Sequence, residues 1–288
     1  MTKAIKIKIR TKEEIMGWLF LLPSLIGVSI FILQPFIDAV RRSFTESMSG
    51  KFIAFQNYSL VLRNEAFKLG AGNTIKFLIV CIPLLLLCSM LLSSVLINQK
   101  KYGYFIKTSY LIPMSIPVAS VVLLWKVVFH KNGLLNGMLH QFGLTKVDWL
   151  NTNKVFYVLV FGYIWKNCGY NMVLWLAGLN GISTSMYEAA AIDGCSMVKK
   201  LIYVTLPNLR QTFVTVTILS LINSFKVFRE AYLIAGNYPH DSIYMLQHLF
   251  NNWFISMDVQ KMCAVAVMMT LVILVVILFL QWISGDYD

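Results

Sequence analysis

The chain has 288 residues, of which 58% are hydrophobic and 13% are charged. Soluble domains usually contain about a quarter charged residues, so this composition excludes an ordinary soluble domain and favours a membrane protein. The net charge of +12 is concentrated at the ends of apolar runs, which is typical of charges that flank a membrane and does not indicate nucleic-acid binding.

Six apolar segments are each long enough to cross about 30 Å of hydrocarbon as a helix. The sequence predicts spans at residues 17–37, 74–97, 108–129, 155–179, 213–235 and 262–283. The first segment is too long for the core of a signal peptide and has no clear cleavage site, so we interpret it as a retained span. We therefore expect an all-α polytopic membrane protein, with a basic cytoplasmic arm at residues 1–16 and a six-helix domain at residues 17–288.

A compact polar element separates the fourth and fifth predicted spans, at about residues 181–210. Ser185 and Glu188 fit a capping box at a helix start, and Asp193-Gly194 indicates a turn in which glycine takes a positive φ. A second short helix follows, and Leu206-Pro207 marks the entry to the fifth span. The pattern predicts a helix–turn–helix elbow, which is either a well-capped connection or a device that transmits movement from a soluble partner.

Polar residues in the middle of spans four and five form a second feature. Such residues are costly at this depth and usually face a cavity or a partner. Counting along both spans places one set in a single layer: Trp165, Asn167, Tyr170, Asn171, Ser220, Asn223 and Ser224. An aromatic ring beside amides and hydroxyls suits a sugar, because the ring stacks on the apolar face while the polar groups bond the hydroxyls. The same groups could instead form hydrogen bonds between helices.

Basic residues near the same depth allow two interpretations. Lys226 can pair with Glu230 one turn later, while Arg229 and Lys126 extend toward the outer surface. Alternatively, Lys166, Lys226 and Arg229 indicate an anionic solute, such as a uronate-bearing saccharide or a glycerol phosphate.

Motifs for chemistry are not found in the sequence. It contains no GxxxxGK[ST] loop, so we expect this chain not to bind ATP by that route and to hold no cofactor. The cysteines and histidines lack metal-site spacing, and no nucleophile–base pair is visible, so we expect neither a metal site nor an enzyme. An ion-coupled secondary transporter would need membrane carboxylates, for which only Asp38 and Glu230 come close.

The elbow resembles the signature cytoplasmic loop of binding-protein-dependent ABC importer permeases. The family's Glu-Ala-Ala, Gly and Ile-x-Leu-Pro pattern stands here as Glu188-Ala189-Ala190, Gly194 and Val204-Thr205-Leu206-Pro207. The stretches "GWLFLLPSLIGVSIFILQPFIDAVRRSFTE" and "LIPMSIPVASVVLLWKVVF" are similar to the first and third spans of the carbohydrate branch. The segment "AGNYPHDS" after span five departs from that branch, which often has Gly-Gly-Pro there.

The resemblance implies a type I ABC importer permease in a bacterial cytoplasmic membrane, with both termini in the cytoplasm. It implies four kinds of partner: a second permease chain that is usually a different protein, two ATP-binding subunits, an extracytoplasmic solute-binding protein, and the lipid bilayer. It also implies a coupling helix at about residues 184–200 that rests in a groove of the ATP-hydrolysing subunit. The residues implied to couple to the ATPase are Glu188, Ala189, Ala190, Asp193, Gly194, Leu201, Leu206 and Pro207.

The resemblance further implies a solute site. The sugar-contacting positions of maltose-type permeases in this branch fall on Trp165, Lys166, Asn167, Tyr170, Ser220, Asn223 and Ser224. Trp165, Tyr170 and Ser220 keep the residue type of those permeases, and the other four differ, so the identity of the sugar stays open.

Overall fold

The computed structural model describes residues 2–97, 99 and 103–284. Within this part of the chain the structure is helical, and its strand-like pairing is one isolated bridge between Thr45 and Phe52. The predicted all-α class is confirmed. The chain divides into two compact units, one made of residues up to 63 together with 253–272, and the other of residues 64–252 together with those from 273 onward.

The first unit begins with a long helical run. It consists of α1 (Thr2–Val28), a wider π-helical turn (Ser29–Leu33) and α2 (Gln34–Ser43), and is followed by α3 (Gln56–Arg63). Pro35 lies just after the π-helical turn, and it lacks the amide hydrogen that a continuing helix would use. Residues Glu14–Ser43 are long and apolar enough to cross a membrane, which agrees with the predicted first span.

The second unit contains most of the helices and the candidate site. Its elements are α4 (Glu65–Leu96), α5 (Gly103–Ser115), α6 (Val118–Phe129), α7 (Leu134–Gln141), α8 (Val155–Asn180), α9 (Thr184–Ile192), α10 (Met197–Lys200), α11 (Leu206–Asn208), α12 (Arg210–Ser224) and α13 (Phe228–Ala235). Two further helices, α14 (Leu246–Ile255) and α15 (Val259–Ser284), follow in the chain.

Helix α8 is the centre of the second unit, with α4 and α5 packed along it. The indole Nε1 of buried Trp175 donates a hydrogen bond to the hydroxyl of Ser89 on α4 at 3.1 Å. Gly169 lets α5 approach closely, since a Cβ at this position would overlap the carbonyl oxygen of Tyr110. The middle of α8 is therefore fixed against its neighbours by both a hydrogen bond and close backbone packing.

Five segments within the described residues have the length and apolar composition of membrane spans. Helix α8 is not one of them, although its 26 residues match the predicted fourth span almost residue for residue. Its middle contains the polar residues Lys166, Asn167 and Asn171. A helix that is long, polar at its centre and largely buried is typical of the interior of a membrane bundle.

The third predicted span is divided in the middle. Helix α5 ends at Ser115, α6 begins at Val118, and Pro117 has the extended backbone angles φ −54° and ψ 137°. The predicted span at residues 108–129 therefore consists of two helices with a break between them. Proline disfavours the helical conformation in the residue before it, and here that residue is the β-branched Ile116. Non-helical backbone at membrane depth is tolerated where it lines a cavity or is covered by protein.

Candidate functional site

The elbow between α8 and α12 has a well-defined turn. Gly194 has a φ of +68°, which glycine adopts without a steric penalty. The amide of Cys195 donates to the carbonyl of Ala190 at 2.9 Å, and the amide of Gly194 donates to that of Ala191 at 3.1 Å. These two bonds are those of a Schellman motif, so the predicted glycine turn is confirmed.

The start of the elbow differs from the prediction. Helix α9 begins at Thr184, its N-cap is Ser183, and Ser183 makes no side-chain capping bond. The hydroxyl of Ser183 contacts that of Ser185 at 2.7 Å instead. The predicted capping box of Ser185 and Glu188 is therefore wrong, because the helix begins before Ser185 and includes it. A side-chain cap is found at the second short helix, where Ser196 accepts from the amide of Lys199 at 3.4 Å.

The elbow exposes several large apolar side chains. Ile192 is 87% exposed, Met197 is 89% exposed and Tyr203 is 73% exposed. A hydrogen bond of 3.0 Å between the hydroxyls of Tyr187 and Thr205 ties the two halves of the elbow together. The elbow thus presents exposed apolar groups on a braced frame, which is typical of a docking surface.

The eight residues predicted to couple to an ATPase divide by burial. Ala190 is 7% exposed and faces its own chain. The other seven are exposed: Glu188, Ala189, Asp193, Gly194, Leu201, Leu206 and Pro207. This distribution leaves most of the predicted surface accessible to a partner.

A polar cavity of about 370 Å³ lies in the middle of the second unit. One wall is the break in the third span, at residues 114–118, and the others come from α8 and from the α12–α13 segment. Its polar lining residues are Ser115, Tyr163, Lys166, Asn167, Asn223, Lys226, Arg229 and Glu230. We define these residues with the break as the polar cavity.

The polar cavity contains a buried ion pair. The Nζ of Lys166 lies 3.2 Å from the Oε1 of Glu230, and the two side chains are 11% and 13% exposed. Lys226 instead donates to the Oδ1 of Asn223 at 2.7 Å. The pairing of Lys226 with Glu230 that the sequence allowed is therefore wrong, because the carboxylate is used by a lysine on a different helix.

The seven predicted solute contacts do not share one environment. Lys166, Asn167 and Asn223 line the polar cavity. Trp165 lines a neighbouring apolar hollow and packs edge-on against Trp125, with 5.2 Å between the ring centroids. Ser220 is buried and accepts from Asn171 at 2.7 Å. The remaining two are Ser224, buried and bonded to the carbonyl of Leu221 at 2.5 Å, and the half-buried Tyr170.

Sequence reasoning missed two contributors to the polar cavity. Tyr163 is 4% exposed, lines the cavity, and has a buried hydroxyl without a hydrogen-bond partner among the described residues. It lies one turn before Asn167, whose side chain donates to its carbonyl at 2.8 Å, and this helical spacing was the available signal. The second contributor is the backbone break at Ile116 and Pro117, for which the Ile-Pro sequence was the signal.

Comparison with known proteins gives consistent results. The family described as "Binding-protein-dependent transport system inner membrane component" matches residues 86–285. The chain is 28% identical to the arabinooligosaccharides transport system permease protein AraP of Bacillus subtilis (strain 168), over 94% of this chain and 88% of AraP. It is also 28% identical to the trehalose/maltose transport system permease protein MalF of Thermococcus litoralis, over 88% of each chain.

A solved structure has the same fold. A chain of a bacterial ABC transporter involved in the import of the acidic polysaccharide alginate superposes with a TM-score of 0.84 at 20% identity, covering 98% of this chain and 99% of that one. The family match extends over more than half of the chain and includes both the elbow and the polar cavity. The protein therefore belongs to the family of inner membrane components of binding-protein-dependent transport systems.

Proposed function

We propose that the protein is the permease subunit of an ATP-driven importer and forms the path for a sugar or oligosaccharide. The observation that carries this proposal is the combination of an exposed apolar elbow and a polar cavity on the same helix. Helix α8 contains Lys166 in the cavity and ends at Asn180, just before the elbow. These positions are about 21 Å apart along a helix that rises 1.5 Å per residue.

The elbow receives the movement that drives transport. ATP is bound and hydrolysed by two partner subunits, and this chain itself holds no cofactor. When the partner subunits close, they displace α9, and the braced frame of the elbow transfers the displacement to α8 and α12. Because both helices line or approach the polar cavity, the cavity opens alternately to the two sides of the membrane.

The remaining partners are assigned from the geometry and from the family. The polar cavity has an open side on this chain, and a second permease subunit, usually a different protein in such systems, closes it. The elbow faces the cytoplasm, so an even number of spans places both termini there as well. A solute-binding protein delivers the sugar to the opposite, extracytoplasmic side.

The sugar class is supported by chemistry and by the relatives. Asn167, Asn223 and the predicted contact Trp165 offer amide groups and an aromatic face, which suit hydroxyl groups and the apolar face of a sugar. Arabinooligosaccharides and trehalose/maltose are the solutes in the names of two relatives.

Substitutions in the elbow test the proposal. Gly194→Trp and Glu188→Arg change the docking surface, so the full importer should lose its ATPase subunits during purification while the chain remains folded in the membrane. Gly143→Trp is the matched control, because Gly143 also has a positive φ of +74° with open space around it. An importer that keeps its ATPase subunits and its uptake with both elbow substitutions would contradict the proposal.

A further inference from the structure

The polar cavity carries more positive charge than the chain neutralises. Lys166, Lys226 and Arg229 line it together with one carboxylate, Glu230. Lys166 and Glu230 neutralise each other as an ion pair. Lys226 donates to the uncharged Asn223, and neither Lys226 nor Arg229 has a carboxylate partner among the described residues. Two positive charges in the cavity are thus uncompensated.

The depth of these charges makes them informative. Lys226 and Arg229 are the seventeenth and twentieth residues of the 26-residue apolar segment Arg210–Ala235. Charged side chains within membrane spans are costly, and they are retained where they face a water-filled path or meet an opposite charge. Both side chains are exposed on the surface of this chain. Compensation for these two charges therefore comes from outside the chain, either from water in the path or from an opposite charge.

Two further groups in the polar cavity favour a negatively charged acceptor. Helix α6 begins at Val118 in the cavity wall, after Pro117 and without a side-chain cap. The first amides of such a helix are free donors, and that end of the helix carries a partial positive charge. The hydroxyl of buried Tyr163 also has no partner among the described residues. Cations, free amides and a free hydroxyl thus converge on one space.

We propose that the saccharide that passes through this cavity carries an anionic group, such as a carboxylate, a sulfonate or a phosphate. This inference rests on the proposed function as a sugar permease and narrows its solute class. The planar guanidinium of Arg229 binds two oxygens of such a group, and Lys226 provides a compact second charge. Lys166 stays paired with Glu230, and this pair holds α8 and α13 in position around the anion.

The solute class is tested with the complete importer and its solute-binding protein in vesicles of phosphatidylcholine, which has no net charge. The probes are trigalacturonate, its uncharged methyl ester, sn-glycerol 3-phosphate and maltotriose. We expect at least one anionic probe to be taken up at least tenfold faster than the uncharged probes. Uptake of uncharged probes alone would overturn the inference and leave the sugar permease intact, whereas uptake of no probe would contradict the proposed function itself.

Substitutions then locate the anion site. Lys226→Gln with Arg229→Gln should lower uptake of the anionic probe by at least about tenfold, since a charge-assisted hydrogen bond is worth that much or more. Lys226→Arg should retain most of the uptake. Lys126→Gln is the matched control, because it removes a cation from a different cavity of the third span and should leave uptake unchanged.

Two results would overturn the assignment to Lys226 and Arg229. One is equal uptake of the anionic probe by the double variant and by the Lys126→Gln control. The other is release of the second permease subunit from the double variant but not from the control, which would show that the two cations bind a carboxylate of that subunit.

Discussion

The elbow exposes apolar side chains outside the spans, whereas the polar cavity collects charged side chains within them. The elbow lies between two spans, yet it exposes Ile192, Met197 and Tyr203. The polar cavity lies in the middle of the spans, yet it collects Lys166, Glu230 and two further cations. An isolated chain would expose the apolar side chains of the elbow to water and would hold the charges of the cavity at the depth of the lipid, and both are unfavourable. In the proposed function each surface is complementary to something outside the chain, the ATPase subunit at the elbow and the solute in the cavity.

The two regions also differ in how the chain stabilises them. The cavity depends on interactions within the chain, above all the ion pair between Lys166 and Glu230. The elbow surface contributes little to the fold, because its exposed side chains bury almost no area in their own chain. Substitutions in the cavity should therefore change the stability of the protein, and substitutions on the elbow surface should change its assembly.

The largest expected effect is on the ion pair of the cavity. Lys166→Met leaves Glu230 buried without a partner, which should lower the free energy of unfolding by about 3–5 kcal/mol. Thermal unfolding of the purified importer measures this decrease. Adding Glu230→Met should restore most of the stability, because no buried charge then remains unpaired. The control is Lys68→Met, which breaks an exposed pair with Glu65 and should cost at most about 1 kcal/mol.

The next effect concerns the packing that holds α8 in place. Gly169→Ala puts a methyl group against the carbonyl of Tyr110, and such overpacking should cost about 1–3 kcal/mol in the free energy of unfolding. Gly137→Ala is the matched control on α7, where nothing lies within 4 Å of an added Cβ. Thermal unfolding of both variants measures the difference. Equal stability of Gly169→Ala and the control would contradict the close approach of α5 and α8.

A buried histidine outside the predicted spans should make the stability of the protein depend on pH. His248 is fully buried, accepts from the amide of Met245 at 3.1 Å, and packs against Phe228 and Tyr244. Burial lowers the pKa of His248 from its ordinary 6.5 to about 4. Between these values the unfolded chain binds the proton and the folded chain does not, so stability falls as the pH falls from about 6.5 to 4.

The unfolding temperature of the wild type and of His248→Gln, measured from pH 7.5 to pH 4, tests this dependence. The wild type should lose more stability than the variant over this range, because glutamine does not titrate. Parallel pH profiles for the two proteins would show that burial of His248 is not the cause.

The smallest effect on stability is expected at the elbow. Met197→Ser changes a side chain that is 89% exposed, so the free energy of unfolding of this chain should change by less than about 0.5 kcal/mol. Retention of the ATPase subunits during purification should nevertheless fall, because the substitution removes part of the apolar surface that we propose as their docking site. If Met197→Ser lowered the unfolding temperature as much as Gly169→Ala, the distinction between the two regions would not hold.

Much of the fold could be predicted because membrane spans leave a strong local signal. The predicted fourth span, at residues 155–179, agrees with α8 at Val155–Asn180. The turn at Gly194 was predicted correctly from the dipeptide Asp193-Gly194. The predicted capping box was wrong, because Ser183 and not Ser185 is the N-cap of α9. The placement of the seven predicted solute contacts was harder, since counting residues gives depth in the membrane but not the direction of a side chain.

The sequence by itself determined the helical class, the approximate position of each span and the family signature of the elbow, because hydrophobic length and glycine conformation are local properties. Tertiary structure alone decided which charges meet. Glu230 has a lysine four residues before it in Lys226, but its partner is Lys166, 64 residues away on α8. Helix geometry fixes only which residues are neighbours along one helix, whereas tertiary packing brings α8 and α13 together and places Lys226 and Arg229 in the lining of the polar cavity.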